Sequence, residues 1–295
     1  MTKTIDSLVS DIYALFEPTN AREFEPSNVE KFGQRLAEHI HNRINEQRGQ
    51  PSLRLSNIGT ECTRKLWYTI NTPDDAEKLP PAARFKFLFG DILEELLLFL
   101  AEEAGHSVEG RQTTLSINGV EGHRDGVIDG RLVDVKSAST YSYNKFKSNG
   151  LRGNDPFGYL DQLGSYAHAS ANDPIVTERD VASFLVVDKT LGNICLDTYP
   201  VPDVDYGKRI DELREILKQP EAPERHFEDV PEGKSGNKKL CTQCSYCSFK
   251  RTCWPELRTF IYSSGPTYLT EVVRTPKVIE IDKDGYIVQE EMQGN

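Results

Sequence analysis

The run GHRDGVIDGRLVDVKSA, from Gly122 to Ala138, constrains the fold more than any other part of the chain. It reads as short β-prone pieces punctuated by glycine, and the preceding Asn118–Gly119 pair is a hairpin-turn signal. Asp134 and Lys136 stand two apart in its last piece, so on a strand both side chains leave the same face. Helical patterns surround the run. Val29, Phe32, Leu36, Ile40 and Ile44 recur at helical spacing behind Ser27, the expected N-cap, and the expected role of this helix is core packing. Pro80–Pro81 opens a predicted helix over Ala82–Ala104. Downstream, Tyr141–Lys147 and Phe157–Ala171 read as helices, VASFLVV and NICLDTYP as strands, and Val204–Lys218 as a helix. Residues 219–240 read as an exposed loop, and the last thirty as a short strand pair around Asp282–Gly285 with a polar tail. The order is helices, then a sheet with embedded helices, then a cysteine-bearing segment, which predicts an α/β core with elaborations at both ends.

With 295 residues, 37% hydrophobic and 27% charged, the chain needs no disulfide or metal merely to bury a core. The longest apolar run, Ile92–Leu100, is broken by Glu94 and Glu95 and falls short of the roughly 18 residues of a membrane span. The N-terminal apolar stretch carries acids and no signal cleavage site, so the expected location is cytoplasmic, with no membrane partner. The net charge of −11 is unevenly spread. Residues 91–110 hold six acids and no Lys or Arg. Two stretches have the opposite bias: 135–152, with Lys136, Lys145, Lys147 and Arg152, and 234–254, with Lys234, Lys238, Lys239, Lys250 and Arg251. Such patches on an acidic body fit local DNA contacts, and they fit a solvated surface equally.

Four of the six cysteines, Cys241, Cys244, Cys247 and Cys253, fall within thirteen residues, which reads as a metal or cluster site rather than a disulfide framework. These four could bind zinc without Cys62, although C-x2-C-x2-C is crowded for an ordinary two-knuckle site. Cys195 lies on a predicted strand as an expected buried core thiol.

The carboxylates and lysine of 122–136 suit phosphate hydrolysis. Asp125 and Asp134 supply oxygen ligands for Mg²⁺ or Mn²⁺, with the Val135 carbonyl as a further candidate. Such a metal polarises a phosphate and acidifies bound water, while Lys136 positions that water or stabilises the pentavalent phosphorus. D-x-K alone fits a surface ion pair equally well. Here a Gly-x-x-Asp lies nine residues upstream on an adjoining strand. His123 is read as a structural strand histidine. Asp129 is read as a turn acid, with a place behind Lys136 as the alternative.

This pattern, G-x-x-D then D-x-K followed by small hydroxylated residues, resembles the PD-(D/E)xK nuclease superfamily in its RecB-like branch. Gly90 followed by Glu94 is similar to the branch's upstream helix motif, which more often ends in histidine; the spacing favours Glu94 over Glu95. Gln162 and Tyr166 resemble its Q-x-x-x-Y, one helix face apart. Cys62, upstream in ECTRKLWY, together with Cys244, Cys247 and Cys253, resembles the split ligand set of the iron–sulfur nucleases: the AddB nuclease domain and the four-cysteine CRISPR-adaptation exonucleases. Arg64, Lys65, Trp67 and Tyr68 match the basic and aromatic context of the first cysteine.

The resemblance implies a restriction-endonuclease-like core, a mixed sheet flanked by helices, with an N-terminal helical elaboration and a C-terminal segment closing a structural [4Fe–4S] clasp. It implies boundaries at 1–52, 53–262 and 263–295, with Cys241 spare. The implied activity is a metal-dependent DNA exonuclease. Glu94, Asp125, Asp134 and Val135 would serve the metal, Lys136 the chemistry, and Gln162 and Tyr166 the DNA. Lys145, Lys147, Arg152, Lys250 and Arg251 are the expected DNA contacts, and recombination or CRISPR-adaptation proteins the expected partners. The alternatives are a structure-specific endonuclease and a non-catalytic DNA-binding or assembly module with a zinc site.

Overall fold

The structure is a computed structural model describing residues 3–20, 23–45 and 50–288. The end of the polar tail, 289–295, lies outside the described residues. Its helices are α1 (Leu8–Ala14), α2 (Pro26–Asn45), α3 (Thr63–Asn71), α4 (Pro81–Glu103), α5 (Thr140–Lys147), α6 (Tyr159–Ala169), α7 (Tyr206–Leu217), α8 (Thr242–Ser245) and α9 (Lys250–Cys253). Its strands are β1 (Val108–Glu109), β2 (Thr114–Ile117), β3 (Val120–His123), β4 (Gly126–Ile128), β5 (Arg131–Ala138), β6 (Glu178–Asp188), β7 (Ile194–Pro200), β8 (Val230–Pro231), β9 (Lys238–Lys239), β10 (Arg258–Tyr262), β11 (Gly265–Glu271) and β12 (Ile279–Ile281). Among the described residues no helix is long and apolar enough to cross a membrane.

The chain forms two compact units, 1–59 with 79–214, and 60–78 with 215–295. These do not follow the boundaries drawn from the sequence at 52 and 262. The segment around Cys62 falls in the same unit as residues 215–295, and the hairpin of β10 and β11 runs straight across position 262.

The first unit is mixed α/β. Its sheet has the order β1-β4-β5-β6-β7, with β5 and β6 parallel and the other pairs antiparallel. A parallel pair needs a long crossover, and α5 and α6 supply it. Strand alternation sends Val133, Val135, Leu185 and Val187 to one face, where they pack on Leu97, Leu98, Phe99, Leu100 and Ala101 of α4 and on Ile5, Leu8 and Ile12. On the other face Phe184 meets Phe146 of α5 and Tyr159 of α6. Asp134 and Lys136 alternate with Val133 and Val135 and so project toward that second face. β2 and β3 form the hairpin expected at Asn118–Gly119, both residues having positive φ (48° and 75°).

Two expectations for α2 are corrected. Its first residue is Pro26, which suits a helix start because it lacks the N–H that would go unpaired there, so Ser27 lies inside the first turn. None of its residues is buried, and Val29 and Ile44 are 44% and 68% exposed. Phe32 packs against the core cluster and stacks on Phe99, and polar links add to it: Arg43 to Asp91 at 2.8 Å, Asn28 to Glu103 at 2.7 Å and Arg35 to Glu95 at 3.4 Å.

The second unit contains an antiparallel sheet of order β12-β10-β11-β9-β8. The region expected to be a tail with short strands therefore supplies a central strand, β11, and the expected loop at 219–240 supplies the edge strand β8 and its neighbour β9. α3 is fastened within this unit by aromatic packing of Trp67 and Tyr68 with Phe249 and Leu217, and by Trp67 Nε1 donating to the Gln219 carbonyl at 2.9 Å.

Candidate active site

Asp125 leaves the chain just before β4, which pairs with β5 only through Arg131–Val133. Past that point β5 has no strand on this side, and the carboxylate of Asp125 substitutes for one: its Oδ2 accepts the Val135 N–H at 2.7 Å. The preceding residue, Arg124, is buried and anchors the turn by pairing with Asp173 at 2.7 Å and donating to the Gly110 carbonyl at 3.1 Å. Burial, and then the charge of Asp134, push Asp125 up to about 7. Asp134 is buried, and its Oδ1 meets Lys136 Nζ at 2.5 Å.

The structure separates Glu94 from Glu95. Burial, then Asp125 and Asp134, raise Glu94 well above the usual carboxylate range, so it faces the aspartates. Its Oε1 accepts from Gln112 Nε2 at 2.7 Å. Glu95 is only 4% exposed and is tied to Arg111 at 2.7 Å and Arg35 at 3.4 Å, a structural role. Sequence reasoning missed Gln112 and Arg111. They occupy a loop with no periodicity, and Gln112 has a left-handed backbone (φ 51°), which a sequence does not display.

Burial alone would lower the Lys136 pKa, but Asp134 and Asp125 outweigh it and hold the ammonium above the ordinary lysine range. Gln162 and Tyr166 lie on one face of α6, with Tyr166 buried and within the electrostatic reach of Asp134, Asp125 and Lys136. Gly122 of the GHRD run is required by this approach: a Cβ there would stand 2.8 Å from the Tyr166 ring and from Leu55 Cβ. Tyr159, also missed, starts α6 with its ring centroid 5.2 Å from Lys136 Nζ. Its signal was legible, since Tyr159, Gln162 and Tyr166 follow i, i+3, i+7 spacing.

In the second unit Cys62 caps α3, its sulfur accepting from the Lys65 N–H, and the Cys247 sulfur accepts from the Phe249 N–H. Burial, then Cys241, Cys247 and Cys62, raise the Cys244 thiol. Cys247 is raised by burial and by Cys62 and Cys253. Cys241, expected to be spare, lies within electrostatic reach of Cys244. All six cysteines are free and half-buried, Cys195 included, which corrects its expected full burial. Arg64 stacks on Tyr68 and donates to the Pro223 carbonyl.

The remaining residues fall into two groups. Lys147 and Arg152 are exposed, and Lys145 is half-buried beside Tyr141. Lys250, by contrast, is 7% exposed and paired with Glu77, which also takes Arg251 at 3.3 Å. Arg251 further donates to Thr259 Oγ1 at 2.8 Å. The DNA role expected of Lys250 and Arg251 is thus replaced by an internal one. His123 sits on the exposed face of β3. Asp129 is the turn acid, accepting from Ser107 N at 2.9 Å and lying 2.6 Å from buried His106.

Among the described residues no three His, Cys, Asp or Glu side chains stand in an arrangement that could hold a metal ion. The donor chemistry nevertheless fits. Three carboxylates whose mutual repulsion is only partly offset by Lys136 are relieved by a hard divalent cation, and a group of thiols raising one another's pKa by a thiophilic metal or cluster.

No family model matches the sequence, and no curated protein does. A solved structure described as "Crystal structure of SSO0001" is similar over 75% of this chain and 95% of its own, at 12% identity and a TM-score of 0.42. At that level neither activity nor residue roles transfer.

Proposed function

We propose that this chain is a metal-dependent DNA exonuclease with a restriction-endonuclease-like core of the RecB-like branch and a structural [4Fe–4S] cluster, acting on DNA ends in recombination, repair or end processing. The observation that carries the reading is the convergence of Glu94, Asp125 and Asp134, from α4 and two neighbouring chain segments, beside the Lys136 ammonium. Glu94, Asp125, Asp134 and the Val135 carbonyl would hold a divalent cation, which would supply Lewis-acid chemistry at the phosphate and at water. The chain's own residues do the rest. Lys136, kept protonated by Asp134, acts as a hydrogen-bond donor and positive charge at the reacting phosphate, not as a base. Gln112 holds Glu94 in place, and Gln162 with Tyr166 lines the approach. Exposed Lys147 and Arg152 and half-buried Lys145 attract the phosphate backbone.

For the cysteines, Cys62, Cys244, Cys247 and Cys253 would hold the cluster, which joins residues far apart in the sequence and so removes unfolded-state freedom. One observation favours zinc instead: Cys241 lies within electrostatic reach of Cys244, as a local four-cysteine site would require.

The test is incubation with linear and circular DNA, labelled at either end, with Mg²⁺ or Mn²⁺. An exonuclease releases the end label progressively and spares closed circles. Cleavage of circles would make it an endonuclease, and no cleavage of either would overturn the nuclease reading.

A further inference from the structure

We propose that Tyr159 is a positioning residue for Lys136, an inference that rests on the nuclease reading above. The Lys136 ammonium lies 5.2 Å from the Tyr159 ring centroid and 2.5 Å from Asp134 Oδ1. An ammonium has three N–H donors on a flexible stem. Asp134 attracts one side of it and the electron-rich ring face another, which leaves the remaining donor direction for the reacting phosphate. Without the ring, the lysine would keep its charge partner but lose its direction.

Tyr159 is itself held rigidly, as a residue that aims another must be. Its ring packs against Phe146 at 5.9 Å, Phe157 at 5.6 Å and Phe184 at 6.4 Å, an aromatic wall drawn from α5, the turn before α6, and β6. The backbone entering α6 is equally fixed. Gly158 is left-handed (φ 70°), and any Cβ there would collide with the Gly59 carbonyl. Asp155 Oδ2 accepts the Leu160 N–H at 2.8 Å, one residue into the helix. The backbone entering α6 and the aromatic neighbours of the ring thus fix its position independently of Lys136. A ring that merely filled space would be replaceable by a large aliphatic side chain; a ring that aims a cation is not.

The test uses the metal-loaded protein and an end-labelled oligonucleotide. Tyr159→Leu should lower kcat about thirtyfold, the scale of a desolvated cation–π contact, with KM within about twofold. Tyr159→Phe, which keeps the ring, should restore kcat. Should the leucine variant not fold, phenylalanines bearing one, two and three fluorines at position 159 keep the shape while draining the ring face, and kcat should fall along the series. A wild-type kcat in Tyr159→Leu, a flat fluorine series, or a phenylalanine variant as slow as the leucine one would overturn the inference while leaving the nuclease reading intact. A wild-type protein that cleaves no DNA would remove both.

Discussion

Asp125 and Val135 are joined by a 2.7 Å hydrogen bond from the Val135 amide to Asp125 Oδ2, at the place where β4 has stopped pairing with β5. One carboxylate therefore does two things: it completes the edge of β5, and it brings its charge to Asp134. The two roles separate experimentally. Asp125→Asn keeps an oxygen for the amide and should lose cleavage at least a hundredfold with little change in melting temperature. Asp125→Ala should lose cleavage as completely and also be destabilised, by about 1–3 kcal/mol, because the amide is left unpaired. Equal melting temperatures for the two variants would show that the bond is not structural. Lys136→Ala should match the asparagine variant, inactive and folded.

Glu94 and Glu95 make a second contrast. Glu94→Gln should abolish metal-dependent cleavage and leave the urea midpoint unchanged or raised, since it removes a buried charge opposed by two aspartates. Glu95→Gln breaks a buried pair with Arg111 and should cost about 3–5 kcal/mol. Reversal of these outcomes would exchange the two assignments.

Asp197 gives a pH dependence away from the site. It is buried on β7, accepts from the Tyr199 hydroxyl at 2.8 Å, and has no partner for its other oxygen. Burial pushes it from 3.8 up to about 6. Its folded pKa exceeds the unfolded one, so the folded state binds more protons in that window, and stability falls as pH rises through it. Asp197→Asn should flatten urea midpoints measured across this range. An unchanged slope would mean the group titrates normally.

Lys250 tests the charge reading. Because it is buried against Glu77, Lys250→Ala should lower the melting temperature, and adding Glu77→Gln should recover part of the loss. DNA affinity and its salt dependence should instead follow Lys147 and Arg152, each phosphate contact removed lowering the salt slope by about one. A reduced salt slope in Lys250→Ala at unchanged stability would return this residue to the DNA surface.

The cysteines are decided by metal analysis. Protein isolated without oxygen should be brown, with about four irons per chain. Cys62→Ala should bleach and destabilise it, and Cys241→Ala should do neither. Colourless protein with stoichiometric zinc, tolerant of Cys62→Ala and sensitive to Cys241→Ala, is the opposite result and would establish the local site. Oxidative loss of the cluster should reduce cleavage through unfolding rather than through the chemistry.

Much of the candidate site was legible because it is local. Asp134 and Lys136 share a strand face by alternation, and Gln162 and Tyr166 share a helix face by period, so neither pairing needed tertiary information. The aromatic at 159 obeys the same arithmetic and was readable too. Gln112 was not, because its role depends on a left-handed loop residue reaching back to α4. Nor was the partial exposure of α2: its apolar spacing is that of a core helix, yet none of its residues is fully buried, and the packing of Phe32 is joined by polar links through Arg43, Asn28 and Arg35. The charge count around Lys250 and Arg251 failed for a related reason. A sum of cations carries no information about a glutamate 173 residues away.

By itself the amino-acid sequence determined the element types between about residues 80 and 218, the hairpin at Asn118–Gly119, the shared face of Asp134 and Lys136, and the clustering of thiols, because all of these follow from backbone periodicity and turn chemistry over a few residues. The tertiary structure decided which of two adjacent glutamates faces the aspartates, which strand edge Asp125 completes, that residues 60–78 fold with residues 215–295, and which cations are spent inside the protein. Those outcomes depend on segments distant in the chain meeting in space, where burial and a neighbour's charge set both the energy and the role of a side chain.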